Sequence, residues 1–331
     1  MTKHTKSKFE LEIAETISTH LGKAGDGSIV KPYVTPNKVT PSLLVGVPRR
    51  ENRDNHDINP TKFCGYDTWY CYEFSLLSAK GSPLNYILRI SYDCKSENIV
   101  ESKSLKLYLN SFNMDKNILG KYTSNLNTTE SLKIDINKEI IKHQIFNDLS
   151  PILKTNNIKI DVIDPSEPID YYQIQPCEYT NAYADVTNLE FEIDNMSGRY
   201  APHLKLKDSH APSSLIKIKC GNLRSNCRVT NQPDWGCVYI VLTSNEYIKK
   251  GLSHSSFAKY IASFRNENHF HEEVCELIFK DLVYLGAFKD VFVACCYTRR
   301  GGIDINPMRS TCSKLLAEYG ILNKPIRYIS Q

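Results

Sequence analysis

No stretch of this chain stays apolar for long enough to cross a bilayer. The longest charge-free runs of its apolar C-terminal part, Leu282 to Phe288 and Val291 to Thr298, fall far short of the roughly 20 residues that a span needs. A surplus of one charge is missing as well. The 41 Lys+Arg against 37 Asp+Glu leave a formal net charge of +4, too mild for a nucleic-acid or membrane surface, which shows a concentrated basic stripe. The expected partner is therefore a small molecule. Met1 to Glu15 mixes Lys3, Lys6 and Lys8 with Glu10, Glu12 and Glu15 and places no apolar stretch behind a basic head, so no export signal is expected and the cytosol is the expected location. Neither GxGxxG after a strand nor GxxxxGK occurs, which removes a dinucleotide crevice of the Rossmann type and a phosphate loop. The Gly22, Gly25, Gly27 cluster has the wrong spacing for either and reads as a helix C-cap and turn. The 11 cysteines form no CxxC pair; their odd number and the lack of an export signal fit reduced thiols, mostly small core hydrophobes.

What is present is an ordinary globular composition, 41% hydrophobic and 24% charged over 331 residues, enough for two domains of roughly 150 residues. Phe9 to Leu21 has helical spacing and is followed by a Gly/Pro-bearing loop to Pro48. Residues 69 to 77 and 84 to 92 are aromatic and β-branched and are joined by Ala79-Lys80-Gly81-Ser82-Pro83, which predicts a hairpin. Ser104 to Phe112 has helical spacing, Ile140 to Leu153 predicts a second helix broken near Pro151, and Ile158 to Ile163 alternates like a strand. The second half repeats the order, with a strand at Trp235 to Thr243, helices at Ser256 to Phe264 and His271 to Leu285, and a strand at Val291 to Thr298. Ser104, Tyr108, Ser111 and Phe112 match Ser256, Tyr260, Ser263 and Phe264 at one constant offset of 152, and an Asp near a Trp precedes each set (Asp67, Trp69; Asp234, Trp235). Two copies of one antiparallel α+β unit follow, covering 47–165 and 213–331, with an extension at 1–46 and a linker at 166–212 that includes a strand at Leu189 to Ile193.

The densest polar constellation is Ser225 to Gly236. Cys227 lies there in a polar loop beside Arg228, whose charge would favour thiolate, so a nucleophile would sit at this position. Asp234 opens the predicted strand, where burial by Trp235 would let it keep its proton near neutral pH and act as an acid; a loop cysteine and an Asx-turn aspartate are the equal alternative. Phe270-His271-Glu272-Glu273 opens a helix, where the acids would also complement the helix dipole. Val100-Glu101-Ser102-Lys103-Ser104 with Lys106 precedes the matching first-half helix, and its lysines are either solvated or placed to meet phosphate oxygens. Arg299-Arg300-Gly301-Gly302 at a strand end suits an anionic ligand. His269-x-His271 is the one paired-histidine spacing that suggests zinc, with no third ligand indicated.

These residues resemble the bimodular form of the 7-cyano-7-deazaguanine reductases, NADPH-dependent nitrile reductases of queuosine biosynthesis, a tRNA-modification route. The likeness runs from about Val47 to Arg309. It is carried by Gly65-Tyr66-Asp67, Ala79-Lys80-Gly81, the run from Glu101 to Asn113, Cys227 to Gly236, Phe270-His271-Glu272 and Tyr297 to Pro307. The resemblance implies a tunnelling fold (T-fold), two tandem antiparallel units with helices layered on one face. It further implies that Cys227 forms a covalent thioimidate with the nitrile, that Asp234 protonates the nitrogen, and that two NADPH are used per turnover. His271 would contact substrate and supply protons, Glu101 and Glu272 would hold the donor edge of the deazaguanine with Val100 and Ser102 beside it, and Ser102, Lys103, Arg300 and Gly301 would contact NADPH. A cytoplasmic homodimer and a small 7-deazapurine substrate are implied too, with no direct nucleic-acid or membrane contact. Arg228 stands where relatives tend to have an apolar residue and Met308 where a Trp is common. Val274 and Cys275 are transposed, so a protective disulfide from the helix to Cys227 is not implied. Two other readings are a zinc-dependent pterin or purine cyclohydrolase or synthase of the same fold, using Cys227 with His269 and His271, and a purine-binding module without chemistry.

Overall fold

A computed structural model of the chain describes residues 34–123, 128–165, 183–192, 199, 201–208, 215–245, 247–248 and 250–320. The predicted helix at Phe9 to Leu21, the glycine cluster, and most of the predicted linker lie outside these residues. The described elements run β1 (Gly46–Pro48), α1 (Arg50–Asn55), β2 (Cys64–Leu77), β3 (Pro83–Asp93), β4 (Asn98–Val100), α2 (Ser102–Asn110), α3 (Asn117–Thr123), α4 (Glu130–Leu153) and β5 (Ile158–Ile163) in the first half. β6 (Ala184–Asp185) and β7 (Leu206–Asp208) lead into β8 (Leu215–Asn226), β9 (Pro233–Ser244), β10 (Lys250–Leu252), α5 (His254–Ala262), α6 (His271–Tyr284), β11 (Phe288–Tyr297), β12 (Ile303–Ser310) and α7 (Ser313–Tyr319).

Eight strands form one sheet in the order β5-β3-β2-β12-β11-β9-β8-β6, antiparallel except where β6 meets β8. Alternation along the strands divides the side chains between two faces. One face carries Trp69, Leu88 and Ile90 under α2 and α4 in the first half, and Ile218, Val238, Ile240 and Val293 under α5 and α6 in the second. The other carries Tyr239, Phe292 and Met308, covered in part by Leu315 and Tyr319 of α7. Leu43 and Leu44 belong to the first-half core, so this half as packed reaches back beyond Val47.

The offset of 152 is a structural equivalence. Ser104 Oγ donates to the Glu101 carbonyl and accepts from the Val45 amide; Ser256 Oγ does the same with the Ser253 carbonyl and the Lys205 amide. Tyr108 donates to Asp148 of α4, and Tyr260 donates to Asp281 of α6, both at 2.6 Å. Each tyrosine meets its phenylalanine, Phe112 or Phe264, edge to face with centroids 5.4 Å apart. The small pairs β1–β4 and β7–β10 are equivalent as well. The two Asp/Trp sites are not: Asp67 and Trp69 lie on β2, the counterpart of β8 in element order, whereas Asp234 and Trp235 open β9.

Several expected elements differ. The helix α4 starts at Glu130 behind a Thr129 cap and runs through Pro151 to Leu153, where Lys154 takes a left-handed φ of 53°. Pro151 lacks the N–H that would bond the Asn147 carbonyl, but only two helical residues follow it, so little helix is left to disrupt. Strand β8 was not expected from the sequence because its alternation of Ile216, Ile218 and Cys220 with lysines is interrupted by a register shift before Leu223. Strand β12 was not expected from the sequence, and it contains Pro307, a residue uncommon in central strands; pairing with β11 begins only at Met308, one residue later. Leu189 to Glu192 is irregular, and Ala184–Asp185 is the short strand of that region.

Strands β11 and β12 are paired only from Phe292–Ser310 to Ala294–Met308. Beyond this, β11 follows β9 to Tyr297 while β12 follows β2 to Ile303. The sheet therefore opens between β11 and β12, one strand away from the β12–β2 seam where the halves meet, at the end where α6 begins.

Candidate active site

The opening is a cavity of about 560 Å³, a size suited to a small organic ligand. Trp69, Leu107, Ile303 and Ile305 give it an apolar wall, and the polar groups face that wall from both halves. Sequence reasoning missed this wall, since single apolar residues on separate elements carry no local signal. Of the ten expected site residues, nine line the cavity: Val100, Ser102, Lys103, Cys227, Asp234, His271, Glu272, Arg300 and Gly301.

Cys227 opens a six-residue connection between β8 and β9. Its amide donates to the Gln232 carbonyl at 2.8 Å, and its own carbonyl accepts from Asn231 at 2.9 Å. Asn231 sits at φ 56°, a left-handed conformation that asparagine tolerates better than most residues. The turn is thus fixed by its own backbone, and the partly exposed Cys227 thiol stands on the cavity wall.

Helix α6 begins with Phe270 as N-cap, and Glu273 reaches back to accept from the Phe270 amide at 2.9 Å. That cap places His271 and Glu272 in the first turn. The His271 ring stacks on Tyr297 at 3.8 Å, and its Nε2 lies 3.4 Å from Asp234 Oδ2. Arg300 holds the other Asp234 oxygen at 2.7 Å. Burial raises the Asp234 pKa, but the His271 hydrogen bond and charge, with Arg300 and Lys103, outweigh it and hold the carboxyl below the ordinary range. This corrects the expectation of a protonated aspartate. Trp235 is 44% exposed and does not cover Asp234; the groups around the carboxylate are cations instead.

Glu272 shows the opposite behaviour. It is 3% exposed, and its Oε1 has no hydrogen-bond partner among the described residues. Burial, reinforced by Asp67 and opposed by Arg49 and Arg309, pushes its pKa to about 8. A buried, unsatisfied carboxyl at a cavity wall is a group awaiting a ligand donor.

Glu101 is the site residue that does not line the cavity. Its Oε2 accepts from the Ser104 amide at 2.7 Å as the N-cap of α2, which leaves Oε1 3.4 Å from Ser102 Oγ. The same cap puts Ser102, Lys103 and Lys106 on the cavity side of the helix. Opposite them Gly301 and Gly302 have φ of 54° and 79°. A Cβ on Gly301 would lie 2.9 Å from Lys106 Nζ, and one on Gly302 would lie 2.4 Å from the Glu73 carboxyl carbon. Three cations and a glycine pair that keeps the backbone low are suited to a phosphate-bearing ligand.

Two further expectations are corrected. Arg228 does not face Cys227 as an isolated charge; its guanidinium binds Glu273 at 2.9 Å and Glu51 at 3.5 Å. His269 and His271 do not converge with Cys227 on a metal: His269 Nε2 faces Glu267 at 3.1 Å and Nδ1 faces Glu273 at 3.6 Å, while His271 Nε2 faces Asp234. Burial lowers the His269 pKa, but hydrogen bonds to Glu267 and Glu273 raise it overall. Cys275 lies in the core with its sulfur 3.5 Å from the Pro307 carbonyl.

The site joins the two halves, and a buried ion cluster lies behind it. Arg309 binds Asp67 at 2.7 Å and Glu276 at 2.8 Å, Arg53 binds Glu276 at 2.7 Å, and Arg49 binds Asp67. Burial raises Glu276, yet Arg309, Arg53 and Arg49 hold it at about 2.

Comparison with known proteins finds two family models in this chain. Residues 35–160 match "Nitrile reductase, 7-cyano-7-deazaguanine-reductase N-term", and residues 233–315 match "QueF-like protein". The NADPH-dependent 7-cyano-7-deazaguanine reductase of Colwellia psychrerythraea is 36% identical over 281 residues, covering 83% of this chain and 88% of that protein. The protein of the same name from Legionella pneumophila strain Lens is 35% identical over 308 residues, 91% of this chain and 94% of its own. That of Coxiella burnetii strain CbuK_Q154 is 32% identical over 284 residues, 85% of this chain and 90% of its own.

Proposed function

The chain belongs to the NADPH-dependent 7-cyano-7-deazaguanine reductase family, and from that premise we infer that it reduces the nitrile of 7-cyano-7-deazaguanine to the aminomethyl group through a thioimidate on Cys227. One observation carries this reading. Cys227, Asp234, His271 and Glu272 of the second half meet Ser102 and Lys103 of the first around a single cavity. We read the halves as tandem tunnelling-fold units, supported by the equivalent serine and tyrosine contacts of α2 and α5.

Glu272 receives the donor edge of the heterocycle and Trp69 offers it an apolar wall. Val100 and Ser102 lie beside the ring, and Glu101 acts through the α2 cap that positions Ser102. Cys227 Sγ adds to the nitrile carbon: the S–H bond breaks and an S–C bond forms, one C–N π bond opens, and the thiol's proton passes to the nitrogen through the Asp234–His271 pair. Because His271, Arg300 and Lys103 favour the Asp234 carboxylate, Asp234 takes up this proton only in passing and returns to the carboxylate when the nitrogen is protonated. Tyr297 keeps the imidazole in plane for the transfer. Ser102, Lys103, Arg300 and Gly301 would hold NADPH, whose phosphates fit the cationic side of the cavity and which supplies the hydrides when bound. The zinc reading is not favoured, since both His269 nitrogens face carboxylates.

The test is NADPH oxidation with 7-cyano-7-deazaguanine, counted against amine formed. About two NADPH per amine are expected, because a nitrile must gain four electrons to become an amine and a hydride donor supplies two. A ratio near one, or turnover that needs added zinc, would contradict the proposal.

Glu272 gives a pH dependence. Its carboxyl, at about 8 in the free protein, must lose a proton to accept two donors. Affinity for the purine should rise between pH 6.5 and 8, by up to roughly tenfold per pH unit, and level off above that. Glu272→Gln should bind more weakly and with no such slope. Titration calorimetry across this range checks it; a parent protein whose affinity falls as pH rises would count against the assignment.

A further inference from the structure

Arg228 is the residue next to the nucleophile, yet its long side chain is only 13% exposed, and it pairs with a Glu273 side chain that is 9% exposed. Ion pairs removed from water are screened little and hold geometry well. The turn from Cys227 to Gln232 is closed by its own backbone hydrogen bonds, but these fix only its shape. Its place relative to α6 depends on other contacts. Asn226 and His269 exchange backbone contacts with the segment before α6 and with each other, and Asn268 donates to Asn231. The Arg228–Glu273 pair carries the connection into the first turn of the helix that presents His271 and Glu272. Glu273 is well set to transmit position, since its second oxygen caps that helix at Phe270. The other arm of the guanidinium reaches Glu51 of α1, in the first half. Val229 follows the same course, packing with Val47, Ile99 and Phe270.

We propose that Arg228 is a positioning residue that clamps the Cys227 turn to the N-terminus of α6 and to α1, and so sets the approach of the sulfur to the nitrile carbon. The proposal rests on the covalent reading above. It assigns Arg228 no contact with substrate. Its effect therefore falls on the rate of S–C bond formation and not on the affinity for the heterocycle, which other residues hold. An error of about 1 Å in such an approach costs on the order of a hundredfold in rate.

The test measures adduct formation on Cys227 by rapid mixing with 7-cyano-7-deazaguanine without NADPH, in the parent, in Arg228→Lys and in the double variant Arg228→Leu/Glu273→Gln. The double variant avoids a lone buried carboxylate, and its glutamine can still cap Phe270. Adduct formation should slow at least about tenfold in the double variant, while purine Kd, measured with Cys227→Ala added, stays within about threefold. Arg228→Lys keeps the charge without the fork and should recover part of the rate; should the double variant fail to fold, a slower adduct in this variant at unchanged Kd carries the test. Rates within twofold of the parent in folded variants, or a loss of affinity as large as the loss of rate, would overturn the clamp. A parent that forms no adduct would instead overturn the covalent reading, and the clamp with it.

Discussion

Cys227→Ala should lose turnover by more than about a thousandfold and still bind 7-cyano-7-deazaguanine. Removing one sulfur takes away the nucleophile but little of the cavity. The turn that carries residue 227 is closed by backbone hydrogen bonds to Gln232 and Asn231, which alanine keeps. Glu272, Trp69 and the first turn of α2 remain where they are. Binding should therefore change by no more than a few-fold, and thermal stability hardly at all, because the thiol is partly exposed. Steady-state NADPH oxidation with calorimetric binding separates the two effects. Turnover above about one per cent of the parent would mean that hydride can reach the nitrile without sulfur addition, and the role of Cys227 would be lost.

Arg309→Met should destabilise the protein by about 3 to 5 kcal/mol, lowering Tm by roughly 5 to 10 °C. Arg309 is fully buried and bridges Asp67 of β2 to Glu276 of α6. Its loss leaves two carboxylates with fewer cations in a dry junction, a loss that lysine should repair poorly because only a planar fork reaches both partners. The halves meet along the β12–β2 ladder, and this cluster ties Arg309 of β12 to Asp67 of β2 and to Glu276 of α6 across that seam, so it supplies part of what fixes one half against the other. Since the cavity is built from both, activity should fall further than stability alone explains. Thermal denaturation of Arg309→Met and Arg309→Lys beside the parent decides it; a shift below about 2 °C would show that the junction holds without this bridge.

What the sequence made legible follows from the range over which each signal acts. Helix α2 and its counterpart α5 show in the spacing of Ser104, Tyr108 and Phe112 and of Ser256, Tyr260 and Phe264, because each pattern is read along one helix and the turn that directly follows it. Cys227, Asp234, His271 and Glu272 stood out because each lies in a short polar run. The ionisation of Asp234 did not, since it depends on His271 and Arg300, brought in from other elements. Arg228 beside a cysteine suggested thiolate stabilisation, but its actual partner is 45 residues away. The Arg49, Arg53, Asp67, Glu276 and Arg309 cluster gave no sign at all, being drawn from four elements with bonded partners such as Asp67 and Arg309 242 positions apart. Strand β12 was not read from the sequence; within it Pro307 pairs with Asp67 on the β2 side, and the ladder on the β11 side starts just after it, where the missing N–H is not needed.

The central claim is a bond between the Cys227 sulfur and the nitrile carbon. Intact-mass spectrometry after incubation with 7-cyano-7-deazaguanine alone, followed by peptide mapping, addresses it directly. Because the addition expels nothing, the expected result is a gain of the full mass of one substrate molecule, localised to the peptide that contains Cys227 and absent from Cys227→Ala. An unmodified Cys227 peptide in a protein that nevertheless oxidises NADPH with this substrate would contradict it.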